Sequence, residues 1–366
     1  MTPDRRRARQ EALVRAFAAE GLDGLVVTSR ANIRYLTGFS GSAALVAVTR
    51  GDVLLVTDFR YDEQARDEAG AVARVEVEGT SVWDRFFKEL PTLGPLGELG
   101  FEAHAVSVHD AQRFAEAGKA WRWRPTTELV ERLRAAKDAG EVAAIRAAAR
   151  LAGEALRQTL ADVRPGLTEL AIAGLLEGTL RRLGSEGHPF ATIVASGPRS
   201  ALPHARSSGR VVVAGEWLLV DFGAQVDGYC ADITRTVVVG ARASERQRAL
   251  YGVVYDAQLR ARSGIRAGMS GREADALARE PITARGLGDA FGHSLGHGLG
   301  LEVHEAPRLS KTNGDPVPAG AVVTLEPGVY LPGEGGVRIE DDVHLVPDSS
   351  GAELLSDGLT ELLELV

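Results

Sequence analysis

The pattern of apolar and polar positions changes near residue 130. Before that point, short apolar runs alternate with turns and helical stretches, as in LVVT, ALVAVT and VLLVTD after Gly24, and WRWRP at 121–125 is the last predicted strand. Alternation of this kind predicts an α/β domain, which we place at residues 1–130. Asn32, Arg34 and Tyr35 fall on a predicted loop of this domain.

Residues 135–366 are predicted to form two similar halves. Asp138 and Glu141 match a capping box, and an Ala-rich helix follows them to about residue 162. The other predicted helices lie at 168–183, 246–262 and 271–285. Because each helix pair neighbours a strand hairpin, the sequence predicts an α+β domain with an internal repeat.

The first predicted hairpin places two acids on one face. Its apolar strands, WLLVDF and YCADITRTVVV, are separated by Asp227-Gly228, a strong hairpin-turn signal. If those two residues form the loop, Asp221 faces Thr234 and Asp232 faces Gly223. Opposed residues share a face, as does every second residue along a strand. Asp221 and Asp232 are therefore predicted to lie diagonally on one face, unless a bulge shifts the register.

A second hairpin repeats this plan. Residues 321–326 (AVVTLE) form its first predicted strand, Pro327-Gly328 breaks that strand, and a Gly-rich stretch leads to a returning strand at 337–345. Glu326 lies near the end of the first strand and Glu340 within the second. Because acids are disfavoured inside apolar strands, their placement here indicates a site rather than solvated edges.

A glycine-rich segment supplies imidazoles. In GHSLGHGLGLEVHE, residues 292–305, His297 is flanked by glycines that we expect to let the backbone approach an ion or ligand. His293 and His304 bracket it, and His204 lies on a predicted loop ahead of the first hairpin. Three histidines in so short a segment, in a chain with only 8, favour a functional cluster.

These patterns together predict a metal site. Its donors are four carboxylates and one imidazole: Asp221, Asp232, His297, Glu326 and Glu340. Hard oxygen ligands with one nitrogen suit a pair of divalent ions such as Mn, Co or Zn. If these residues converge, the protein is predicted to be a hydrolase that uses a metal-activated water.

At these motifs the chain resembles the pita-bread metallopeptidases, in their Xaa-Pro aminopeptidase and prolidase branch. The resemblance is carried in order by ANIRYLTGFSG, TIVASGPRSALPHA, DFG with ADITRT, GHSLGHGLGLEVHE, LEPGVY, GGVRIEDD and the closing TELLEL at Thr360–Leu365. It implies an α+β pita-bread catalytic domain with a pseudo-twofold repeat at 135–366. It also implies a smaller, creatinase-like α/β domain at 1–130, which would shape the cleft mouth and a dimer contact.

The same resemblance implies a role for each site residue. Asp232 and Glu340 would bridge two ions, Asp221 would chelate one of them, and His297 and Glu326 would hold the other. A hydroxide between the ions would be the nucleophile, and Glu326 would take its proton. The implied catalytic histidines, which would line the site and help protonate the leaving nitrogen, are His204, His293 and His304. The implied substrate-binding residues are Arg338, which would orient a ligand carboxylate, and Tyr330, which would help form the pocket for the proline ring.

The implied activity is hydrolysis of the Xaa-Pro bond, either at the N-terminus of peptides or in dipeptides. This tertiary amide has a poor leaving nitrogen, so a polarising metal with a nearby acid suits it. The alternatives are another pita-bread hydrolase such as a methionine aminopeptidase, or a non-catalytic peptide-binding homologue, which would typically have lost ligands. No motif decides between dipeptides and longer peptides.

Composition narrows the expected partners. The net charge of −8 disfavours nucleic acid, and no apolar run approaches the roughly 20 residues that span a bilayer. The single cysteine, Cys230, fits a reducing compartment, so we expect a cytoplasmic protein. The resemblance implies a homodimer that acts on proline-containing peptides with two divalent ions per chain.

Overall fold

The computed structural model describes residues 2–347, 351–356 and 361–366. The chain divides into two compact units, Met1–Arg134 and Ala135–Val366. Of the closing TELLEL motif, Thr360 lies outside the described residues, whereas Glu364–Leu365 form a short strand. Among the described residues, no helix is both long and apolar enough to cross a bilayer.

The first unit is a mixed sheet with helices. Its strands are β1 (Gly24–Val27), β2 (Ala44–Thr49), β3 (Val53–Asp58), β4 (Arg74–Glu78), β5 (Glu98–Glu102) and β6 (Arg122–Thr126). Its helices are α1 (Pro3–Ala19), α2 (Arg30–Thr37), α3 (Asp62–Ala69), α4 (Val82–Glu89), α5 (Val108–Ala117) and α6 (Glu131–Ala135), the last of which ends at the unit boundary. The order is β4-β3-β2-β1-β5-β6, antiparallel among β1, β2 and β3 and parallel elsewhere. The predicted strands are confirmed at β1, β2, β3 and β6.

The segment around Asn32 is a helix, α2, where the sequence predicted a loop. Asn32 is fully buried, and its amide nitrogen donates to Glu102 Oε1 at 2.6 Å. Arg134 Nη1 donates to Asn32 Oδ1, also at 2.6 Å. These partners lie 70 and 102 residues away in the chain, so no local pattern reveals them. The polar residues of this segment therefore serve the interior of the unit, and the loop prediction was wrong.

Among its described residues, the second unit carries two helix pairs, two larger and mainly antiparallel sheets, and two small two-stranded sheets. The helices are α7 (Ala139–Leu160), α8 (Glu169–Leu183), α9 (Glu245–Gly264) and α10 (Gly271–Ala284), close to the predicted ranges. The strands are β7 (Ile193–Ser196), β8 (Glu216–Phe222), β9 (Gln225–Val226), β10 (Tyr229–Cys230), β11 (Ile233–Val239), β12 (Gly296–Gly298), β13 (Glu305–Leu309), β14 (Val322–Leu325), β15 (Gly328–Leu331), β16 (Gly335–Arg338), β17 (Asp341–Leu345), β18 (Ala352–Leu354) and β19 (Glu364–Leu365). The two small sheets are β9-β10 and β15-β16.

The two halves of this unit repeat one arrangement. A pair of helices is followed by strands that pair antiparallel in chain order, β7-β8-β11 after α7 and α8, and β12-β14-β17 after α9 and α10. Each helix pair packs over its own buried apolar cluster. A bridge between Thr234 and Glu340 joins the two sheets. The predicted α+β repeat is therefore confirmed.

Strand β8 shows how the sheet separates the apolar core from the site. Leu218, Val220 and Phe222 pack into the cluster that α7 and α8 cover. Because side chains alternate along a strand, Asp221 lies on the other face. The helices therefore cover one side of the sheet, and Asp221 is left on the side that faces away from them.

The Asp227-Gly228 turn forms as predicted. Its two residues have positive φ angles of 49° and 76°, which a type I′ turn requires. The resulting register pairs Asp221 with Thr234, as the turn predicted. The ladder is interrupted between β10 and β11, and Asp232 lies in that interruption.

The second hairpin is longer than the sequence predicted. Pro327-Gly328 was expected to end the first strand, but β15 and β16 continue the hairpin beyond it. The chain reverses instead between Leu331 and Gly335, where Gly333 has a φ of 83°. Because Pro327 has no N–H, it interrupts the ladder, and pairing resumes at the next residue. Pro327 therefore breaks the first strand as predicted, but the hairpin does not end there.

The register of this hairpin brings two acids together. β14 pairs with β17 and β15 with β16 in one unchanged register. Glu326 and Glu340 therefore fall opposite each other, in the gap between the two ladders. The backbone there is not left unpaired, because Glu340 N donates to Thr234 O of the other sheet at 3.1 Å.

The capping box at the start of α7 yields a stability prediction. Asp138 Oδ1 accepts hydrogen bonds from Gly140 N at 2.7 Å and Glu141 N at 3.1 Å. Because those donors lose their partner, we expect Asp138→Ala to lower the free energy of unfolding by about 1 kcal/mol. Urea denaturation measures the change, with Asp138→Asn, which caps nearly as well, as the matched control. Equal stability of the Ala and Asn variants would contradict the capping role.

Candidate metal centre

The five predicted ligands line one cavity of the second unit. The cavity has a volume of about 610 Å³, and its walls include Asp221, Asp232, His297, Glu326 and Glu340. Each residue comes from a different place: β8, the interruption before β11, β12, the end of β14, and the start of β17. Distant parts of the chain therefore converge as the sequence predicted.

The tightest group in the cavity is Asp232, His297 and Glu340. One potential ligand atom of each lies within 4.8 Å of the others. His297 Nε2 is 3.8 Å from Asp232 Oδ2 and 3.6 Å from Glu326 Oε1. The imidazole therefore lies between carboxylates that come from both hairpins.

His297 is oriented so that one nitrogen faces the acids. Its Nδ1 is 3.0 Å from Gly298 O, and a carbonyl can only accept, so Nδ1 carries the proton. Its Nε2 then presents a lone pair to the cavity. Burial lowers the pKa of His297 to about 4, so the ring is neutral near pH 7. A carbonyl partner on the opposite nitrogen is typical of histidines that bind metals.

The glycines beside His297 are required for strand packing. A Cβ at Gly296 would lie 1.9 Å from Thr324 O, and one at Gly298 would lie 2.1 Å from Ala306 O. Both atoms belong to the backbone of neighbouring segments, because β12 is enclosed by β13 and β14. The glycines therefore allow close approach of the neighbouring strands, and approach to an ion or ligand stays a prediction.

Arg338 is a buried cation among the acids. Its Nη2 donates to Asp221 Oδ2, and its Nε donates to Thr234 Oγ1 at 2.9 Å. Thr234 Oγ1 in turn donates to Glu340 Oε2 at 2.6 Å. Arg338 therefore holds one carboxylate directly and a second through a hydroxyl. The other oxygen of the first carboxylate, Asp221 Oδ1, is buried and has no hydrogen-bond partner among the described residues.

The three remaining histidines of the motifs differ in how their nitrogens are used. Both nitrogens of His293 are engaged, with Nδ1 2.8 Å from Ser294 O and Nε2 2.8 Å from the Tyr330 hydroxyl. His204 and His304 line the cavity, and neither ring forms a hydrogen bond within the described part of the chain. The His304 ring packs against His297 with centroids 4.3 Å apart. Of these three histidines, only His204 and His304 therefore have ring nitrogens that no described residue occupies.

Tyr330 does not contribute to the cavity walls formed by the described residues. Its ring packs in a small apolar group with Ala201 and Leu219, and its hydroxyl accepts from Arg338 Nη1 at 2.9 Å. The sequence suggested Tyr330 for the proline pocket, but the apolar side chains that line the cavity are Phe190, Ala191, Ile193, Pro203 and Val303.

Sequence reasoning missed Arg308 of β13. Its side chain is exposed, lines the cavity, and forms no hydrogen bond or ion pair with any described residue. Burial is the main reason that the pKa values of His297 and His304 are lowered, and the charge of Arg308 contributes to both shifts. Arg308 follows His304 by four residues, and residues an even number apart share a face of a strand. This spacing is the only signal in the sequence that points to Arg308.

Burial raises the pKa of every carboxyl group in the cluster. It is the main cause for Asp232 and Glu326, and repulsion from Glu340 adds to it, so both pKa values lie well above the usual range. The pKa of Asp221 is also raised by burial, although Arg338 opposes the shift. Burial and Asp221 raise the pKa of Glu340 to about 7. The four acids therefore cannot all ionise beside one guanidinium without further positive charge.

The residues of this cavity fit divalent cations. The buried and unpartnered Asp221 Oδ1 offers an acceptor with no internal use. The lone pair on His297 Nε2 faces the same space, and the carboxylates around it require positive charge to ionise. Clustered oxygens with one imidazole nitrogen are the ligand set expected for divalent metals that accept both donor types.

Comparison with known proteins identifies the family. Residues 143–347 match the model for metallopeptidase family M24, and residues 9–136 match the creatinase/prolidase N-terminal domain. The chain belongs to the metallopeptidase family M24, which confirms the resemblance inferred from the motifs.

Individual relatives match along nearly the whole chain. An Xaa-Pro dipeptidase of Pyrococcus furiosus is 34% identical over 97% of this chain and 99% of that protein. The structure of an Xaa-Pro dipeptidase from Bacillus anthracis matches with a TM-score of 0.93 at 41% identity, covering 98% of this chain and 100% of the other. An X-Pro aminopeptidase structure from Thermotoga maritima matches with a TM-score of 0.89 at 38% identity, covering 97% and 99%.

The raised pKa values predict a pH dependence of stability for the metal-free protein. Carboxyls with raised pKa stabilise the fold below their unfolded pKa and lose that contribution as pH rises through the folded value, about 7 for Glu340. The lowered pKa values of His293 and His297 act in the opposite direction, but only below about 6.5.

Between pH 6.5 and 8, the free energy of unfolding of the metal-free protein should therefore fall with pH. Each carboxyl that is protonated in the folded state but ionised in the unfolded state should contribute up to about 1.4 kcal/mol per pH unit to this slope. Urea denaturation at several pH values measures it, and Glu340→Gln should reduce the slope. A flat profile for the metal-free wild type over this range would contradict the prediction.

Proposed function

We propose that this protein hydrolyses the Xaa-Pro peptide bond with the help of divalent metal ions. The observation that supports it most directly is the shared cavity, which is lined by three buried carboxylates, the partly buried Glu326 and the imidazole of His297. Relatives along the whole chain are named Xaa-Pro dipeptidase or X-Pro aminopeptidase, which supports proline-directed cleavage.

We propose two ions per chain, drawn from Mn, Co and Zn. Asp232 and Glu340 would contact both ions, Asp221 would hold one, and His297 with Glu326 would hold the other. Bound there, the ions would activate water and polarise the scissile carbonyl. Arg338 supports this arrangement because it engages Oδ2 of Asp221, whereas Oδ1 of the same carboxylate has no hydrogen-bond partner among the described residues.

The histidines divide into two roles in this proposal. His204 and His304 have free ring nitrogens at the cavity wall, so they contact the substrate carbonyl and deliver a proton to the leaving nitrogen. His293 is held between Ser294 O and the Tyr330 hydroxyl, so it shapes the site and does not carry the proton. Phe190, Ile193 and Val303 offer apolar surface for the proline ring.

We propose that dipeptides are the preferred substrates. In an Xaa-Pro dipeptide, the free carboxylate follows the proline ring directly. Arg308 is a guanidinium on the cavity wall near His304 that pairs with no described residue. A guanidinium is well suited to bind a carboxylate through two parallel hydrogen bonds. Cleavage of longer peptides is the second candidate, since the Thermotoga maritima neighbour is named an X-Pro aminopeptidase.

We also propose a cytoplasmic homodimer. The support for the compartment is the single cysteine, which fits a reducing environment. The dimer rests on the resemblance to the pita-bread branch alone, and sedimentation equilibrium of the purified protein tests it.

Metal dependence is the first test of the activity. We expect Ala-Pro cleavage to stop after exhaustive chelation and to return with Mn, Co or Zn. Asp232→Ala should lose both bound metal and activity, because it removes an oxygen donor from the tightest group. Asp227→Asn, which neutralises an exposed acid in the turn of the same hairpin, is the matched control and should keep both. Metal analysis and a cleavage assay measure the outcome.

Full activity after demetallation would contradict the metal mechanism. Retention of two ions by Asp232→Ala would contradict the assignment of that ligand. The enzyme could also be active and metal-dependent but cleave other dipeptides as fast as Xaa-Pro. That result would agree with the metal centre and refute the proline preference.

Peptide length is the second test. We expect kcat/KM for Ala-Pro to exceed that for Ala-Pro-Ala, and Arg308→Gln to remove that preference by lowering the dipeptide value about 10- to 100-fold. That loss corresponds to about 1.5–3 kcal/mol for a hydrogen bond to a charged group. Arg285→Gln, an exposed arginine that does not line the cavity, is the charge-matched control. Faster cleavage of the tripeptide by the wild type would favour an aminopeptidase.

A further inference from the structure

The loop that carries His204 is closed at its base by one carboxylate. The loop leaves β7 at Ser196, passes through the 3₁₀ turn Gly197–Ala201, and ends at Ser208. Glu169, the first residue of α8, is fully buried and contacts both ends of the loop. A fully buried acid needs hydrogen-bond partners for both of its oxygens, and the loop supplies them.

Both oxygens of Glu169 are saturated by donors from the loop. Oε1 accepts from Ser196 N at 2.8 Å and Ser196 Oγ at 2.9 Å. Oε2 accepts from Ser208 N at 3.1 Å and Ser208 Oγ at 2.6 Å. Arg199 Nε, inside the loop, lies 3.2 and 3.1 Å from the two oxygens. One side chain therefore links the two ends of the loop, and Ser207 adds a second link, since its Oγ accepts from Val194 N at 2.9 Å and donates to Thr192 O at 2.9 Å.

The tip of the loop is held by β16 and its neighbours. Ser200 Oγ accepts from Gly336 N at 2.8 Å, and Pro203 O accepts from Arg338 Nη1 at 3.3 Å. The contact at Pro203 is long, so the tip is held more weakly than the base.

His204 depends on this backbone for its position. Its ring lines the cavity, is exposed, and forms no hydrogen bond within the described residues. A side chain that forms no hydrogen bond of its own is positioned by its backbone. In well-organised sites, a misplacement of about 1 Å lowers the rate of catalysis about 100-fold. The geometry of the loop base is therefore transmitted to the cavity wall.

We propose that Glu169 is a positioning residue for His204, acting through the loop at a distance from the metal centre. The proposal rests on the proposed function, in which His204 contacts the substrate. Glu169 does not line the cavity or take part in the cluster of potential metal ligands among the described residues, so its effect on the reaction passes through the loop.

Glu169→Gln is the sharpest substitution to test this. The side chain keeps its shape, but one carboxylate oxygen becomes an amide nitrogen, which can only donate. That nitrogen would face backbone N–H, hydroxyl and guanidinium groups that also donate. Ser208→Ala is the milder second variant, since it removes one donor at 2.6 Å and leaves the acid in place. If Glu169→Gln does not fold, Ser208→Ala carries the test.

A double-mutant cycle separates positioning from general destabilisation. We expect Glu169→Gln to lower kcat on Ala-Pro about 10-fold with KM changed less than about twofold, because a proton donor is misplaced and binding groups are not. In the His204→Ala background, the same change should alter kcat less than about twofold. An equal loss in both backgrounds would overturn the proposal.

The second helix pair supplies a matched control. Asp275 of α10 is also a buried acid paired with an arginine, with Arg279 Nε at 2.6 Å, and it accepts from Leu295 N at 3.0 Å in the loop that carries His293. Any loss caused by Asp275→Asn should be the same with and without the His204 side chain. The same dependence on His204 for both acids would overturn the specific link to Glu169.

Hydrogen exchange provides a readout that needs no activity. In the metal-free protein, Glu169→Gln should raise amide exchange in residues 197–207 and leave residues 291–295 unchanged. Unchanged exchange across 197–207 would overturn the proposal even if activity falls. A wild type that cleaves no Xaa-Pro bond would refute the proposed function, and exchange would still decide whether Glu169 fixes the loop.

Discussion

The enclosure of four carboxylates around one cavity, three of them buried and one partly buried, is the constraint on which this structure depends. Burial raises the pKa of Asp221, Asp232, Glu326 and Glu340, and Arg338 supplies only one compensating charge. Such a cluster is unfavourable unless the acids are protonated or positive charge is recruited. The two helix pairs with their apolar clusters stabilise the sheets that hold it. The favourable free energy of packing elsewhere in the unit thus offsets the unfavourable free energy of placing these acids together.

The two hairpins deliver their acids by the same local device. In each, a regular ladder opens for a few residues. Asp232 lies in the opening before β11, and Glu326 and Glu340 both lie in the opening of the second hairpin. An opening would normally leave backbone groups unpaired, but Glu340 N pairs with Thr234 O across the two sheets. The same contact that satisfies the backbone therefore brings the two halves of the repeat into register around the cavity.

Local sequence patterns were reliable where local chemistry decides the structure. The capping box at Asp138 and the turn at Asp227-Gly228 formed as predicted, and the turn fixed the face on which Asp221 lies. The loop predicted around Asn32 failed because its helix depends on partners far along the chain. A motif identified the site histidines, but only the fold shows that both nitrogens of His293 are occupied.

The unchanged register of the second hairpin has a consequence for how the chain can vary in length. Side chains alternate along strands, so adding or removing one residue between Glu326 and Glu340 would turn one acid away from its partner. The same holds between Asp221 and Asp232. The lengths of these two intervals are therefore constrained, although their composition is not. Single-residue insertions and deletions should be tolerated only outside them, or in compensating pairs.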